Sequence, residues 1–325
     1  MVFHQVTPFF EPAVRSVLEQ TFDDLELVLV DNGTGLGLAP LGEAGRDPRI
    51  RLLALPENRG IAAGHNHAVA QARGEYIALL DYDDIALPNR IERQVAYLEA
   101  HPDVGLVSSE ADTIDEHGRV VGREFSLLQA RDQAVYTQFA TPVVTPAYAG
   151  RREVLERFLF RTQLSCAEDY DFLARAAEVY PMCGIPEVLF QYRRYPKQTT
   201  VVRRAAITVN ECVIRLLTAR RRAGRDEEFD LLVAEMSAWL ETPPPLSELY
   251  ATFGQRFLDE GLPMLAVYHA RRLLSVRHDP RGLWTALRIF QGAVRRTTRQ
   301  APLLISLFLR GPVRAYGLKD HPARR

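Results

Sequence analysis

Through the first two hundred residues, short apolar runs break off sharply into polar turns. Residues 76–80 read Tyr-Ile-Ala-Leu-Leu and meet three carboxylates, Asp81, Asp83 and Asp84, within the next four positions. Such a run, bounded by an abrupt polar change, predicts a buried strand. A second run, residues 25–30, ends in Asp31 and the turn residues Asn32, Gly33 and Thr34, again the pattern of a strand and its turn. Asn58-Arg59-Gly60 and a small-residue stretch over 62–72 lie between the two runs, with Gly74 as a helix stop. Residues 25–80 therefore predict strand, loop, helix, strand, each strand ending in an acid on the same sheet edge.

Beyond about residue 200 the pattern turns helical. Residues 211–222 and 227–240 have amphipathic spacing, and Glu241-Thr-Pro-Pro-Pro-Leu246 breaks it. Residues 246–260, 263–275 and 280–296 predict successive helices, separated by Gly261 and by His278-Asp279-Pro280. The expected organisation is an α/β domain over 1–200 and an α-helical region over 201–325. In the last of those helices Leu283, Leu287, Phe290 and Val294 share a face, with Arg281, Arg288, Arg295 and Arg299 mostly elsewhere. The apolar run 303–309 is too short to span a membrane.

Three acids within four residues repel one another unless a cation offsets them. Hard oxygen ligands suit Mg2+ or Mn2+, ions that often bridge carboxylates to substrate phosphates. An acidic loop, or a cap for the helix starting near Pro88, is the competing reading of Asp84. Glu168-Asp169-Tyr170-Asp171 opens a helix carrying Phe172, Leu173, Ala176 and Ala177, where acids suit the helix dipole.

The formal net charge is −1, which gives no reason to expect a polyanionic partner for the whole chain. From Arg281 onward, however, nine Arg and one Lys face a single acid, Asp320. That basic, amphipathic tail fits either an anionic membrane surface or a solvated helix face. No aromatic-basic interleaving accompanies it, so nucleic acid is not an expected partner. The three cysteines, Cys166, Cys183 and Cys212, show no paired or metal-ligand spacing and point to a reducing, cytoplasmic compartment.

Seven motifs follow one another across about residues 3–200: Ser16-Val-Leu-Glu-Gln-Thr-Phe22, Val30-Asp-Asn-Gly-Thr34, Asn58-Arg-Gly60, Ala72-Arg-Gly-Glu-Tyr-Ile77, Asp81-Tyr-Asp-Asp84, Glu168-Asp-Tyr-Asp171 and Tyr192-Arg-Arg194. In this order and at these intervals the chain resembles the family 2 glycosyltransferases. The resemblance implies the GT-A fold, a Rossmann-like α/β domain with a mostly parallel central sheet that binds nucleotide sugars.

It also implies an activity: inverting transfer of a sugar from a nucleotide-diphosphate donor, a UDP-sugar first, to a glycan or lipid-linked acceptor. Asp31 would meet the nucleobase and Asp81 the ribose or metal. Asp83 would hold the Mg2+ or Mn2+ that bridges the diphosphate, and Asp169 would be the general base. Glu168 and Asp171 would support it. Phe3, Gly60, His65 and Arg193 complete the implied donor-side set, with Arg193, Arg194 and Lys197 as a diphosphate clamp. The setting implied is cell-surface polysaccharide assembly, peripheral at the inner face of the plasma membrane.

The chain departs from the family pattern in places. Met1-Val2-Phe3-His4 aligns with the loop after the family's first strand, so that strand is expected to be absent and the native chain to start upstream. Losing several buried apolar side chains, at about 1.5–3 kcal/mol each, would rival a domain's stability. His65 stands where many relatives have Arg, and Tyr195 where they often have His. Two alternatives stay open: a degenerate, transferase-like binding or scaffold module, and a nucleotidyltransferase, although no glycine- and basic-rich phosphate loop is visible.

Overall fold

The computed structural model describes residues 1–277, 279–297 and 301–310. Arg299, Arg314, Lys319, Asp320, Arg324 and Arg325 of the basic tail lie outside the described residues. Two compact units emerge, one of Met1–Ala134 with Thr141–Gln198, the other of Val135–Ala140 with the helices from Thr199 onward. The division by contacts thus falls after Gln198, against an expected boundary at residue 200.

The first unit opens with β1 (Val2–Phe3), α1 (Phe10–Leu18), β2 (Leu27–Asn32), β3 (Ile50–Leu55) and α2 (Ile61–Gln71). It continues through β4 (Tyr76–Ala78), β5 (Ile85–Ala86), α3 (Arg90–Ala100), β6 (Leu106–Ile114) and β7 (Val120–Glu124). Next come α4 (Ala130–Tyr136), β8 (Ala149–Arg151), α5 (Arg152–Arg157), α6 (Glu168–Ala176) and β9 (Met182–Arg193). The second unit holds α7 (Thr199–Val202), α8 (Arg204–Arg222), α9 (Phe229–Glu241), α10 (Leu246–Asp259), α11 (Pro263–Val276), α12 (Pro280–Arg296) and α13 (Ala301–Arg310).

The strands form two sheets. β1-β2-β3 is parallel throughout. The other has the order β4-β8-β6-β9-β5, with β7 on β6. Its long central pair β6–β9 is parallel, while β4–β8, β6–β8, β5–β9 and β6–β7 are antiparallel. The expected parallel pairing therefore runs through β1–β3 and β6–β9, and short antiparallel strands complete the second sheet.

The structure also alters the reading of the first residues. Val2 and Phe3 are strand rather than loop, in register with Val30 and Asp31 and fully buried. The Met1 amino group donates to Val28 O at 2.9 Å. Helix α2 crosses so close to β1 that a Cβ on Gly64 would meet Val2 Cγ1 at 2.5 Å. Beyond this short pairing, β2 and β4 flank a cavity of about 630 Å3 lined by Met1, Leu27, Val28, His65, Ile77 and Leu79.

β4 ends at Ala78, and Leu79 N still follows its register with the chain ahead of β8, donating to Tyr148 O at 3.0 Å. Arg90 secures the exit from that pairing. It is fully buried, and its Nη2 donates to Leu79 O at 2.7 Å and Pro146 O at 2.6 Å, with Nε on Gln94 Oε1 at 3.1 Å. One guanidinium thus ties the chain entering the acidic loop to the turn at 145–147.

In the helical unit, Val209, Leu216, Phe253, Phe257, Ala266, Ala270 and Ile289 interlock in one core. Among the described residues, no helix is long and apolar enough to cross a membrane. Replacing Arg90 tests the first unit's organisation. Arg90→Met leaves two buried carbonyls unpaired and should lower stability by roughly 2–4 kcal/mol, read as a lower urea midpoint at unchanged slope. A loss below about 0.5 kcal/mol, the scale of a surface change, would contradict the role given to Arg90.

Candidate active site

The loop after β4 gathers the three acids. Asp81, Asp83 and Asp84 each place a carboxylate oxygen within 4.8 Å of the others. Tyr195 donates its hydroxyl to Asp83 Oδ2 at 2.9 Å, and the Arg193 backbone N–H donates to Asp84 Oδ1 at 2.8 Å. Asp84 Oδ2 has no partner although the residue is fully buried. Asp84 therefore bonds across to β9 instead of capping α3, which starts behind Asn89 with no side-chain cap.

Burial dominates the electrostatics. Desolvation, then repulsion from Asp83 and Asp169, lifts the Asp81 carboxyl to about 7. Burial also raises Asp83, and raises Asp84 well above the ordinary carboxylate range. A cluster of this kind is a poor host for three negative charges and a good one for a cation. Its donors are all hard oxygens, which fits Mg2+ or Mn2+. Asp81, Asp83 and the free oxygen of Asp84 are the ligands on offer.

Arg193 supports the acids from behind. Its Nε donates to Asp83 O at 2.8 Å and its Nη1 to Asp115 O at 3.0 Å, and the guanidinium lies 4.4 Å from the Phe9 ring centre. Only 5% of its surface is exposed, so it braces the loop from within, at a position where the resemblance implies a donor-side contact.

Asp31 ends β2, and its carboxylate organises the following turn. Oδ1 accepts from Thr34 N at 2.8 Å and Thr34 Oγ1 at 2.7 Å, and Oδ2 accepts from Gly37 N at 2.9 Å. Desolvation pushes its pKa up, but the bonds from Gly37 and Thr34 outweigh it and hold the carboxyl below its usual value. Asn32 then ties the turn to the 58–60 loop, donating to Asn58 Oδ1 and Gly60 O, each at 3.1 Å, and accepting from Arg59 N at 3.0 Å. Gly33 is obligatory there. Its φ is +86°, and a Cβ would sit 2.3 Å from Asn58 N. Gly60, at φ +83°, precedes the first turn of α2.

Asp169 lies in the first turn of α6, partly exposed, behind Ala167 in the left-handed region at φ +59°. Thr145 Oγ1 donates to Asp169 Oδ2 at 2.7 Å. Arg90 ties Leu79 O, just ahead of the acids, to Pro146 O, next to the Thr145 that holds Asp169, and this links the α6 start to the β4 loop. Asp171 instead turns inward, fully buried, to Arg175 at 2.8 Å and Arg161 at 3.4 Å.

Two sequence candidates face the interior of the first unit. The Phe3 side chain is core, tilted against Phe10 with ring centres 4.6 Å apart. His65 points into the cavity between β2 and β4, 5.0 Å from Phe160. Desolvation and the neighbouring amino terminus lower it to about 3, so it is a neutral imidazole and not a substitute for a guanidinium. Sequence reading missed Thr145 and Tyr82, whose hydroxyl accepts from Gln5 Nε2 at 2.7 Å. The only local signal for Thr145 is the Thr-Pro step opening a short helical turn.

Comparison with known proteins agrees with this geometry. The model of glycosyl transferase family 2 matches residues 1–159. An uncharacterised glycosyltransferase of Methanocaldococcus jannaschii is 31% identical over 197 residues, covering 59% of this chain and 68% of that protein. The amylovoran biosynthesis glycosyltransferase AmsE of Erwinia amylovora is 26% identical over 193 residues, covering 56% and 70%. S. aureus TarS 1–349, solved in complex with UDP-GlcNAc, matches with a TM-score of 0.56 at 16% identity, over 98% of this chain and 88% of that one. The fold is that of the GT-A glycosyltransferases. The chain belongs to glycosyltransferase family 2, in which its relatives include proteins of polysaccharide biosynthesis.

Proton competition gives a test of the acid cluster. With the Asp81 carboxyl raised to about 7, a Mn2+ ion held by it would have to displace its proton, so Mn2+ affinity should fall from pH 8 to pH 6, by up to about tenfold per unit below 7. Calorimetric titration reads this directly. Asp83→Asn should remove most of the binding, and an affinity flat in pH would exclude Asp81 as a ligand.

Proposed function

We propose that the protein is an inverting glycosyltransferase that moves a sugar from a UDP-sugar to an acceptor hydroxyl. We place the reaction in residues 1–200, with 201–325 as a separate helical domain. The observation that carries this reading is the tie made by Arg90, which binds Leu79 O ahead of the Asp81, Asp83 and Asp84 cluster and Pro146 O in the turn whose Thr145 holds Asp169. Asp169, oriented by Thr145, takes the proton of the acceptor hydroxyl. That oxygen forms its bond to the anomeric carbon as the bond to the diphosphate breaks, so an α-linked donor yields a β-linked product.

Asp81 and Asp83 would hold Mg2+ or Mn2+, which neutralises charge on the departing diphosphate. Tyr195 keeps Asp83 oriented, and Arg193 keeps the loop in place. Asp31 is the candidate contact for the base, as a carboxylate can accept from a base imide. The uridine donor is supported by the UDP-GlcNAc complex of TarS. Polysaccharide assembly is supported by AmsE and by the succinoglycan biosynthesis protein ExoO. A cytoplasmic setting accords with three free cysteines.

The test is turnover of a panel of UDP-sugars with Mn2+ present and after chelation. Asp169→Asn should lower transfer by about 10²–10⁴-fold while leaving UDP binding within a few-fold of the parent. Asp83→Ala should lose Mn2+-dependent UDP binding itself. Undiminished transfer by Asp169→Asn would assign the base elsewhere. Full activity after chelation would remove the ion from the mechanism.

A further inference from the structure

Helix α12 carries an apolar face that no described residue covers. Leu283, Trp284 and Leu287 are 48%, 74% and 38% exposed. On the opposite side Gly282, Ala286, Ile289 and Ala293 are packed inward. At helical spacing the three exposed residues form one stripe about 100° wide. Singly exposed apolar residues are ordinary, but a tryptophan and two leucines clustered on one helix face mark an interaction surface.

The border of the stripe identifies what it meets. Arg281, Arg288 and Arg295 follow one flank and are exposed. No acid pairs with any of the three among the described residues. Arg277 and Arg296, near the helix ends, do have partners in Asp279 and Asp259. Between Pro280 and Arg310 the sequence contains no Asp or Glu at all. Helix α13 packs beside α12 through the Phe290–Phe308 stack at 4.5 Å and exposes two further apolar residues, Ile305 and Leu309.

We propose that this face of α12 docks the protein on an anionic bilayer, with the helix lying in the plane of the interface. Leucine and tryptophan side chains would enter the headgroup–acyl boundary. Arginines along the flank would meet lipid phosphates. The apolar stripe alone would suit a protein partner or a second copy. The exposed guanidinium row, although Arg288 shares a surface groove with Asp259 and Glu260, selects instead a surface of spread negative charge. Docking involves neither the donor nor the carboxylates, so it stands or falls separately from the transferase reading.

The test uses the full chain with vesicles of phosphatidylglycerol mixed into phosphatidylcholine, and with vesicles of phosphatidylcholine alone. Wild type should sediment with the anionic vesicles, and less so as salt rises. In a Trp239→Phe background, Trp284 emission should shift to the blue on binding. The triple variant R281A/R288A/R295A should weaken partition by roughly a hundredfold. L283S/W284S/L287S should abolish the part that survives high salt, and Trp284→Ser alone should weaken it measurably if the triple fails to fold. Circular dichroism and thermal unfolding check that each variant is folded. Equal partition into both vesicle types, no partition into either, or indifference to the apolar substitutions would overturn the proposal. Concentration-dependent dimerisation lost in L283S/W284S/L287S would assign the face to a second copy instead.

Discussion

The catalytic unit is organised around a crowding problem, three carboxylates held within 4.8 Å of one another at the end of a short strand. At that separation each ionised pair repels by about 3 kcal/mol even with a generous effective dielectric. Burial adds a desolvation cost. The protein meets this from three directions: a hydroxyl from Tyr195, a backbone N–H from Arg193, and the Arg193 guanidinium against the loop's own carbonyl. Asp84 keeps one buried oxygen without a partner. Residual negative charge in a well-braced oxygen cage is what a divalent cation recognises.

Asp31 shows that position at a strand end does not by itself decide the chemistry. It too is an acid at the end of an apolar run, and it too is buried. Yet Thr34 and Gly37 surround it with donors, and its pKa moves down. Asp81, faced by Asp83 and Asp169, moves up. The first is held toward its ionised form and shapes a turn, and the second is held toward its protonated form. Arg90 links the two walls of the site, since the same guanidinium holds Leu79 ahead of the acids and Pro146 beside Thr145.

Much of this was legible in the primary structure. Sharp apolar-to-acid transitions located β2, β4 and the acids, and small residues over 62–72 located α2. The apolar-periodic segments beyond residue 200 located the helices of the second unit. Less legible was whatever depends on a distant partner. Arg193 read as part of a diphosphate clamp or of a solvated basic loop, and only the fold shows it buried, with Nε and Nη1 on the Asp83 and Asp115 carbonyls. Asp84 read equally well as a helix cap, and only the approach of β9 gives it another partner. Val2 and Phe3 read as loop, but the unpaired edge of β2 makes strand the better-bonded state.

The sequence by itself determined the family, the order of elements and the identities of the acids, because these rest on local periodicity and on motif spacing along one chain. Tertiary structure alone decided which acids share a site, which are buried, and in which direction each titrates. It also decided that Thr145 would orient Asp169 and that the exposed face of α12 would be Leu283, Trp284 and Leu287. These properties follow from desolvation and from hydrogen bonds between residues far apart in the chain, which no local pattern encodes.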